Sequence, residues 1–495
     1  MIHVLRIAAL LSLVGCGLWV EDHGKGRHGK NGQRSAQAAG QKGQKAGPRA
    51  GQKGAAQKPD AGDVAPMPSP AATTQGKDAP RLVMLAVMDT VRADHTSLCG
   101  YERPTTPRLD KLSTKATAKS CEAYSPAPWT HPSHASMFTG KPVTEHAAMW
   151  VTESEVALNP VTKVRPLHDQ FTTLAEQYKA RGYQTIAVSA NMILTPASGL
   201  LQGFDTTELT TTAVAMRGQR FRAHFAKAIA NVDPSKPIFL FVNVYDAHDP
   251  YPAVPEGLDW ITAQPRQDIA PNKHDESTPY YRYVKGLSEE SEYAPFLKAI
   301  VNGYDWGIHD ADENLGYVVD TLAKAGWLAD ARVAVTSDHG EMLGEHRTLR
   351  HGGYLYEPVV NVPFVYYDTT ATGPVTLPAP FSTMRVYDLL MSGKVPDGEV
   401  VSVTERNDQD IQGGVVGGAL WTTDKQKLQC LDGKRGRYDL SADPTESNLL
   451  ELGKSPKLSA LDKLCKGVGA LQKLPAPKAN DPALIEALKS VGYLE

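Results

Sequence analysis

The 495-residue chain is 41% hydrophobic and 22% charged, with a formal net charge of −3. That composition is globular, suits one large domain or two ordinary ones, and excludes a chain that is disordered or fibrous throughout. Residues 21–58 hold nine Lys and Arg against two acids, so the body that follows is acidic, and no nucleic-acid partner is expected.

The first sixteen residues, "MIHVLRIAALLSLVGC", combine one arginine with a short apolar run. This reads as a secretory signal, too short to remain as a membrane span. Gly15 after Leu13-Val14 fits a bacterial lipobox, with cleavage before Cys16 and lipidation of its thiol; a plain secretory peptide that contains a cysteine is the alternative. The expectation is an exported protein, lipid-anchored to the cell envelope through Cys16. Residues 17–80 are Gly, Lys, Gln, Ala and Pro with few large apolar side chains, a composition that cannot offset chain entropy, so a disordered linker is expected. Its basic half is a soluble spacer or lies on anionic headgroups or wall polymer. Apart from Cys16, four cysteines remain. The local pairing is Cys99–Cys121 with Cys430–Cys465, but four cysteines allow three connectivities.

Beyond the linker, apolar runs alternate with helical spacing. Strands are expected at Arg81–Asp89, Gln184–Ala190, Pro237–Tyr245 and Ala331–Asp338. Helices are expected at Thr106–Ala118, Phe171–Tyr183 and Tyr304–Gly326. This alternation predicts an α/β fold with a mostly parallel central sheet covered on both faces, and ligands beyond the carboxyl ends of its strands. Acids and histidines recur at those ends: Asp89 after the first strand, Asp246 and His248 after the third, Asp338 and His339 after the fourth. One such residue could be a helix cap. Three groups at one edge point to a divalent-metal site.

Four segments in order, "VMDTVRADHTSLCGYERPTTPRLDKL", "SPAPWTHPSHASMFTG", "VTSDHGEMLGEH" and "RYDLSADPTESNLL", resemble the sulfatase family of the alkaline-phosphatase superfamily. The resemblance implies an alkaline-phosphatase-like mixed sheet between helices over residues 81–395 and a smaller C-terminal α+β subdomain over 396–495. In the family the nucleophile opens a helix in C-x-P-S-R, its cysteine oxidised to formylglycine. Here the segment is Thr130-His131-Pro132-Ser133-His134, with Thr130 at the nucleophile position and His134 in place of the arginine. From the residues alone Thr130 is equally a helix N-cap.

The resemblance also implies a metal set of Asp89, Asp338 and His339, with Thr130 on the substrate side, and one divalent ion. A histidine nitrogen among the ligands favours zinc or manganese over calcium or magnesium. His248 and His351 fall where the family contacts the transferred group, and either is a candidate general acid. Arg92 binds the anion or pairs with Asp94. Thr90 stands where many sulfatases carry a second acid, and Asn191 where a lysine and histidine are usual. Asp305 and His309, four apart on one helix face, are the candidates for a second ion, although single-metal sulfatases keep a structural helix there. His95 and His346 read as surface or supporting residues.

The expected partner is a small sulfate or phosphate ester, or a glycan- or lipid-linked one. Threonine cannot become formylglycine, and a sulfated threonine has no geminal hydroxyl from which to eliminate sulfate, so the chemistry leans towards phosphate. Transfer of a phospho-alcohol group to an envelope glycan or lipid, and a non-catalytic binding protein on the same fold, are the alternatives.

Overall fold

A computed structural model describes residues 66–71, 79–150, 164–210, 217–267, 275–405 and 416–471. Cys16 and the basic stretch lie outside the described residues. The strands in chain order are β1 (Leu82–Met88), β2 (Ala118–Tyr124), β3 (Gln184–Ser189), β4 (Thr206–Leu209), β5 (Ile238–Val244), β6 (Ala331–Thr336), β7 (Met342–Leu343) and β8 (Leu349–Arg350). They continue with β9 (Asn361–Asp368), β10 (Phe381–Ser382), β11 (Val400–Thr404), β12 (Gly417–Trp421), β13 (Gln426–Leu431) and β14 (Lys434–Asp439).

Eight strands form the central sheet in the order β10-β2-β9-β6-β1-β5-β3-β4. β1 lies between β5 and β6, parallel to both, with Leu82 level with Ile238 and Ala331. β9 runs antiparallel to β6 and β2, which makes the sheet mixed. This is the expected fold class. β2 was missed because "AKSCEAY" has no continuous apolar run and is only part buried; the helix expected to run to Ala118, the first residue of β2, stops at Ser113.

Every residue of β1 is buried. Alternation divides it between two cores. Leu82, Met84, Ala86 and Met88 face one, with Tyr304, Ile308 and Leu315 from the long helix Glu290–Lys324. Val83, Leu85 and Val87 face the other, with Met137 and Phe138 from the helix Thr130–Thr139 and Leu174 and Tyr178 from Leu174–Ala180. Phe239 and Phe241 of β5 are fully buried on that second face, each contributing about 2–3 kcal/mol by area. The helix Leu174–Ala180 starts with a capping box in which Thr173 and Glu176 satisfy each other's backbone N–H groups.

The long helix begins fourteen residues before the expected Tyr304, because Pro295 near its N-terminal end removes only one internal bond. A side chain at Gly307 would strike the Asp246 carbonyl, so this glycine lets the helix lie directly under the loop after β5. Residues 66–71, expected to be linker, belong to the body: Met67 joins the first core and the Trp327 indole donates to the Pro68 carbonyl at 2.8 Å. One apolar side chain among prolines suffices, since proline has little chain entropy to lose.

A four-stranded antiparallel sheet, β11-β12-β13-β14, follows the central one, and the helix Leu458–Leu471 packs Leu461, Leu464 and Val468 against it. Disulfides join Cys99 to Cys121 and Cys430 to Cys465, the local pairing among the three. No described helix is long and apolar enough to cross a membrane.

Candidate active site

β1 and β6 are parallel neighbours, so the residues just past their carboxyl ends, Asp89 and Asp338, come together. One ligand atom from each of Asp89, Asp338 and His339 lies within 4.8 Å of the others, the one such group of three among the described residues. All three are fully buried. Asp89 accepts from Asn191 Nδ2 at 2.7 Å and Asn243 Nδ2 at 3.1 Å, both at Oδ2. Asp338 accepts at Oδ1 from the N–H groups of Thr90 at 3.2 Å and His339 at 3.0 Å. The remaining oxygens, Asp89 Oδ1 and Asp338 Oδ2, are buried without a hydrogen-bond partner.

Burial first, then repulsion from Asp338, pushes Asp89 up to about 8, and burial pushes Asp338 up to about 7. Two buried carboxylates with idle oxygens are costly unless a cation meets them. The His339 ring donates from Nδ1 to the Gly340 carbonyl at 2.9 Å, which leaves Nε2 as a lone pair beside the carboxylates. Two carboxylates and one imidazole are a donor set that fits a divalent ion. The turn carrying His339 needs Gly340, since a side chain there would meet the Pro358 carbonyl. Thr90 is held in the left-handed region at φ 61°, strained for a β-branched residue. In that conformation its N–H reaches Asp338, and its carbonyl accepts from the Tyr304 hydroxyl at 2.6 Å.

Thr130 lies at the same place. It is the first residue of its helix; the N-cap is Trp129, in extended conformation, with no side-chain capping bond. The capping role open from the sequence is therefore not the one Thr130 fills. Its hydroxyl accepts from Asn191 Nδ2 at 3.1 Å and lies 3.4 Å from His339 Nε2. Backbone N–H groups of the helix's first turn favour an anion at this end. Asn191 thus bridges Asp89 and Thr130.

The other candidates divide. His134 donates from Nδ1 to the Thr130 carbonyl at 2.9 Å, its Nδ1 3.6 Å from Asp338 Oδ2, and packs edge-on against Phe138 and Phe241. It sits behind the cluster in apolar surroundings, where burial pushes it down to about 3. His339, His351 and His248 form a row, with ring centroids 4.2 and 4.9 Å apart. His248 Nδ1 lies 2.5 Å from the Asp249 carbonyl, and His351 Nδ1 lies 3.0 Å from Glu341 Oε1. Burial holds both imidazoles well below their ordinary range.

Arg92 gives its donors to Asp94 at 2.7 and 2.8 Å and to Glu345 at 2.7 Å. The pairing with Asp94, one of its two expected roles, is present. Asp246 is spent on Gly218 N–H at 2.9 Å and Asn314 at 3.0 Å. Asp305 and His309 do not share a ligand: Asp305 binds His95, Tyr101 and Arg103, whereas His309 stacks on Trp306.

Two supporting residues were missed. Asn243 interrupts the apolar run of β5, and a lone polar residue in a fully buried strand was the available signal. Glu341, two residues past His339, is fully buried and backs His351; its place inside "SDHGEM" was the only hint.

A sequence model of the sulfatase family matches residues 81–391. An arylsulfatase of Clostridium perfringens is 30% identical over 142 residues, which are 28% of this chain and 28% of that relative's length. The chain therefore aligns with little more than a quarter of that curated relative. Among solved structures, the phosphonate monoester hydrolase of Agrobacterium radiobacter superposes with a TM-score of 0.57 at 17% identity, covering 80% of this chain and 95% of that one. A 2-O GAG sulfatase superposes with a TM-score of 0.56 at 15% identity, covering 82% and 96%. These structural likenesses establish the fold.

Proposed function

The chain belongs to the sulfatase family, matched from residue 81 to 391, and from that premise we propose a metal-dependent hydrolase of phosphate or sulfate esters with Thr130 as nucleophile. The observation that carries this reading is the convergence of the Thr130 hydroxyl on a buried cluster whose Asp89 Oδ1 and Asp338 Oδ2 have no partner. Asp89, Asp338 and His339 Nε2 would hold the ion. When bound, a divalent cation lowers the pKa of a nearby hydroxyl and polarises the ester.

The chain's own residues do the rest. Asn191 occupies one lone pair of Thr130 Oγ1 and so fixes how the hydroxyl points. Attack joins Thr130 Oγ1 to phosphorus or sulfur and breaks the bond to the alcohol oxygen, which leaves with a proton. His248 and His351 are both placed as donors through Nδ1 and kept neutral by burial. Thr130 gives up its hydroxyl proton as it attacks; one of the two imidazoles would take that proton up at Nε2 and pass it to the departing alcohol oxygen. Water then attacks the Thr130 ester, frees the oxyanion and returns the hydroxyl proton. The phosphorylated threonine can be resolved in this way, so a phosphate monoester or phosphodiester is the preferred substrate. A phosphonate monoester hydrolase and a GAG sulfatase share the fold, which makes both ester classes worth assaying.

The test is a panel of aryl sulfate, aryl phosphate and aryl phosphodiester, run with manganese or zinc, with chelator, and with Thr130→Ala. The expected result is phosphate-ester hydrolysis lost on chelation and reduced by about 10³-fold or more in the variant. Activity that survives Thr130→Ala rejects the nucleophile. We also propose export and lipid anchoring at Cys16, supported by the signal-like first sixteen residues and by two disulfides, which suit an oxidising compartment. Labelling of the wild-type chain by radioactive fatty acid, absent from Cys16→Ala, is the expected outcome; equal labelling rejects it.

A further inference from the structure

Glu405 follows β11, in the C-terminal sheet and past the end of the family match at residue 391. It is buried, 2% exposed. A lone buried carboxylate is uncommon, and its partners say what it does. Glu405 Oε1 accepts from the Trp129 indole Nε1 at 2.6 Å and from the Trp150 backbone N–H at 3.1 Å. The two tryptophan rings stack with centroids 4.9 Å apart. Trp129 is the N-cap immediately before Thr130, held extended at φ −160° and ψ 166°. The adjoining residues reinforce the link: Val403 N–H donates to the Pro126 carbonyl at 2.9 Å, and the Thr404 hydroxyl donates to Gly352, next to His351, at 3.3 Å.

We propose that Glu405 is a positioning residue for Thr130: its carboxylate fixes the Trp129 indole, and with it the backbone from which the Thr130 hydroxyl projects. The proposal rests on the reading of Thr130 as nucleophile. The last three residues of this segment brace both loops that carry candidate reacting groups, the one before Thr130 and the one after His351. Trp129 has no side-chain capping bond to its own helix, so its orientation is set by the indole's contacts. An acceptor on a distant strand can do this because the indole offers a single N–H donor in a fixed direction. A carbonyl oxygen at the same position could accept both bonds, so the amide should replace the acid.

The experiment uses the full chain with Glu405→Leu, Trp129→Phe, the double variant and Glu405→Gln. The readouts are kcat and KM on the best ester of the panel, the thermal midpoint, and crystal structures of wild type and Glu405→Leu. Glu405→Leu and Trp129→Phe should each lower kcat by about 10- to 100-fold, the size expected for misplacing a reacting group by a fraction of an ångström to one ångström. KM should stay within about threefold, since only the reacting geometry is disturbed. The double variant should lose no more than the worse single one, and Glu405→Gln should recover most of the rate. The crystal structure should show the Thr130 hydroxyl displaced. Folded variants with kcat unchanged, or losses that add in the double variant, overturn the proposal. The crystal structures separate this from the parent reading: a Thr130 hydroxyl unmoved in Glu405→Leu overturns the positioning role whatever the activity, whereas activity in Thr130→Ala rejects only the nucleophile.

Discussion

Asn191 offers the sharpest test of the site, because one amide nitrogen serves two groups with different tasks. It donates to Asp89 Oδ2 at 2.7 Å and to Thr130 Oγ1 at 3.1 Å. A hydrogen bond to a carboxylate contributes about 1.5–3 kcal/mol and one to a hydroxyl about 0.5–1.5. Asn191→Leu keeps the volume and removes both, together with the Oδ1 acceptor of the Ile193 N–H at 2.8 Å; the two donated bonds are worth roughly 2–4 kcal/mol, or about 30- to 1000-fold in rate if both persist in the transition state. Asn243→Leu is the control. It removes a donor to Asp89 Oδ2, at 3.1 Å, and the acceptor of a long contact from the Ser189 hydroxyl at 3.5 Å, and leaves Thr130 held. The assay is kcat at saturating manganese, with manganese affinity by calorimetry and the thermal midpoint to establish folding. Asn191→Leu should lower kcat even with metal saturating. Asn243→Leu should weaken manganese binding while kcat at saturation stays within about threefold. Asn191→Leu with kcat within threefold of wild type, while folded and metal-loaded, refutes the argument that this amide orients the nucleophile.

Three further outcomes follow from parts of the fold away from the reaction. His146 accepts the Ala148 N–H at Nδ1, at 3.0 Å, so it must stay neutral, and burial pushes its pKa from 6.5 down to about 3. Its stabilising share is present above pH 6.5 and is lost as pH falls from there towards 3, so the wild type should lose a few kcal/mol on acidification that His146→Gln does not; parallel urea-unfolding profiles from pH 7.5 to 5 would contradict this. Lys427 is fully buried, bonded to Glu446 and to the Leu355 carbonyl, with Glu357 at 3.9 Å. Lys427→Met strands the buried Glu446 and the half-buried Glu357 and should cost about 3–5 kcal/mol in guanidinium unfolding; a loss under about 1 kcal/mol would show that those acids simply protonate. The disulfides close loops with sequence separations of 22 and 35, so replacing either pair by serine should cost about 3–4 kcal/mol, and an unchanged thermal midpoint would refute that.

The fold was legible where its signal is local. β1, β3, β5 and β6 announce themselves as apolar runs because both faces of a covered sheet are buried. Their carboxyl ends then locate Asp89, Asp338 and His339 without any tertiary information. β2 was not legible, since an edge-side strand with alternating exposure has no continuous run to read. Asn243 was hidden inside just such a run: the pattern that identifies β5 also makes its one polar residue look incidental. Arg92 shows a different limit. Three residues past a candidate metal ligand it could serve an anion or a neighbour, and folding brings Glu345 beside it as a second acidic partner. Glu405 lies 276 residues from Trp129 and beyond the family match. A single hydrogen bond over that separation leaves no periodicity behind.

The sequence also shows histidines without showing which nitrogen carries the proton, and here that decides the chemistry. His134 and His339 each give Nδ1–H to a carbonyl, His248 has the Asp249 carbonyl at its Nδ1, and His351 has the Glu341 carboxylate. A carbonyl can only accept, so the rings of His134, His248 and His339 carry their lone pair at Nε2. Burial then resists charging each of them. The cluster therefore combines two carboxylate oxygens without partners with the His339 Nε2 lone pair, and no cationic side chain of the candidate set faces it, since Arg92 is held by Asp94 and Glu345. Such a set attracts a cation and repels an anion. Among the site residues, the donors open to an anionic ester include the N–H groups at the start of the helix Thr130–Thr139 and the Asn191 amide. On the proposed reading, a cation at Asp89, Asp338 and His339 would offset these acceptors and let an anionic ester approach Thr130.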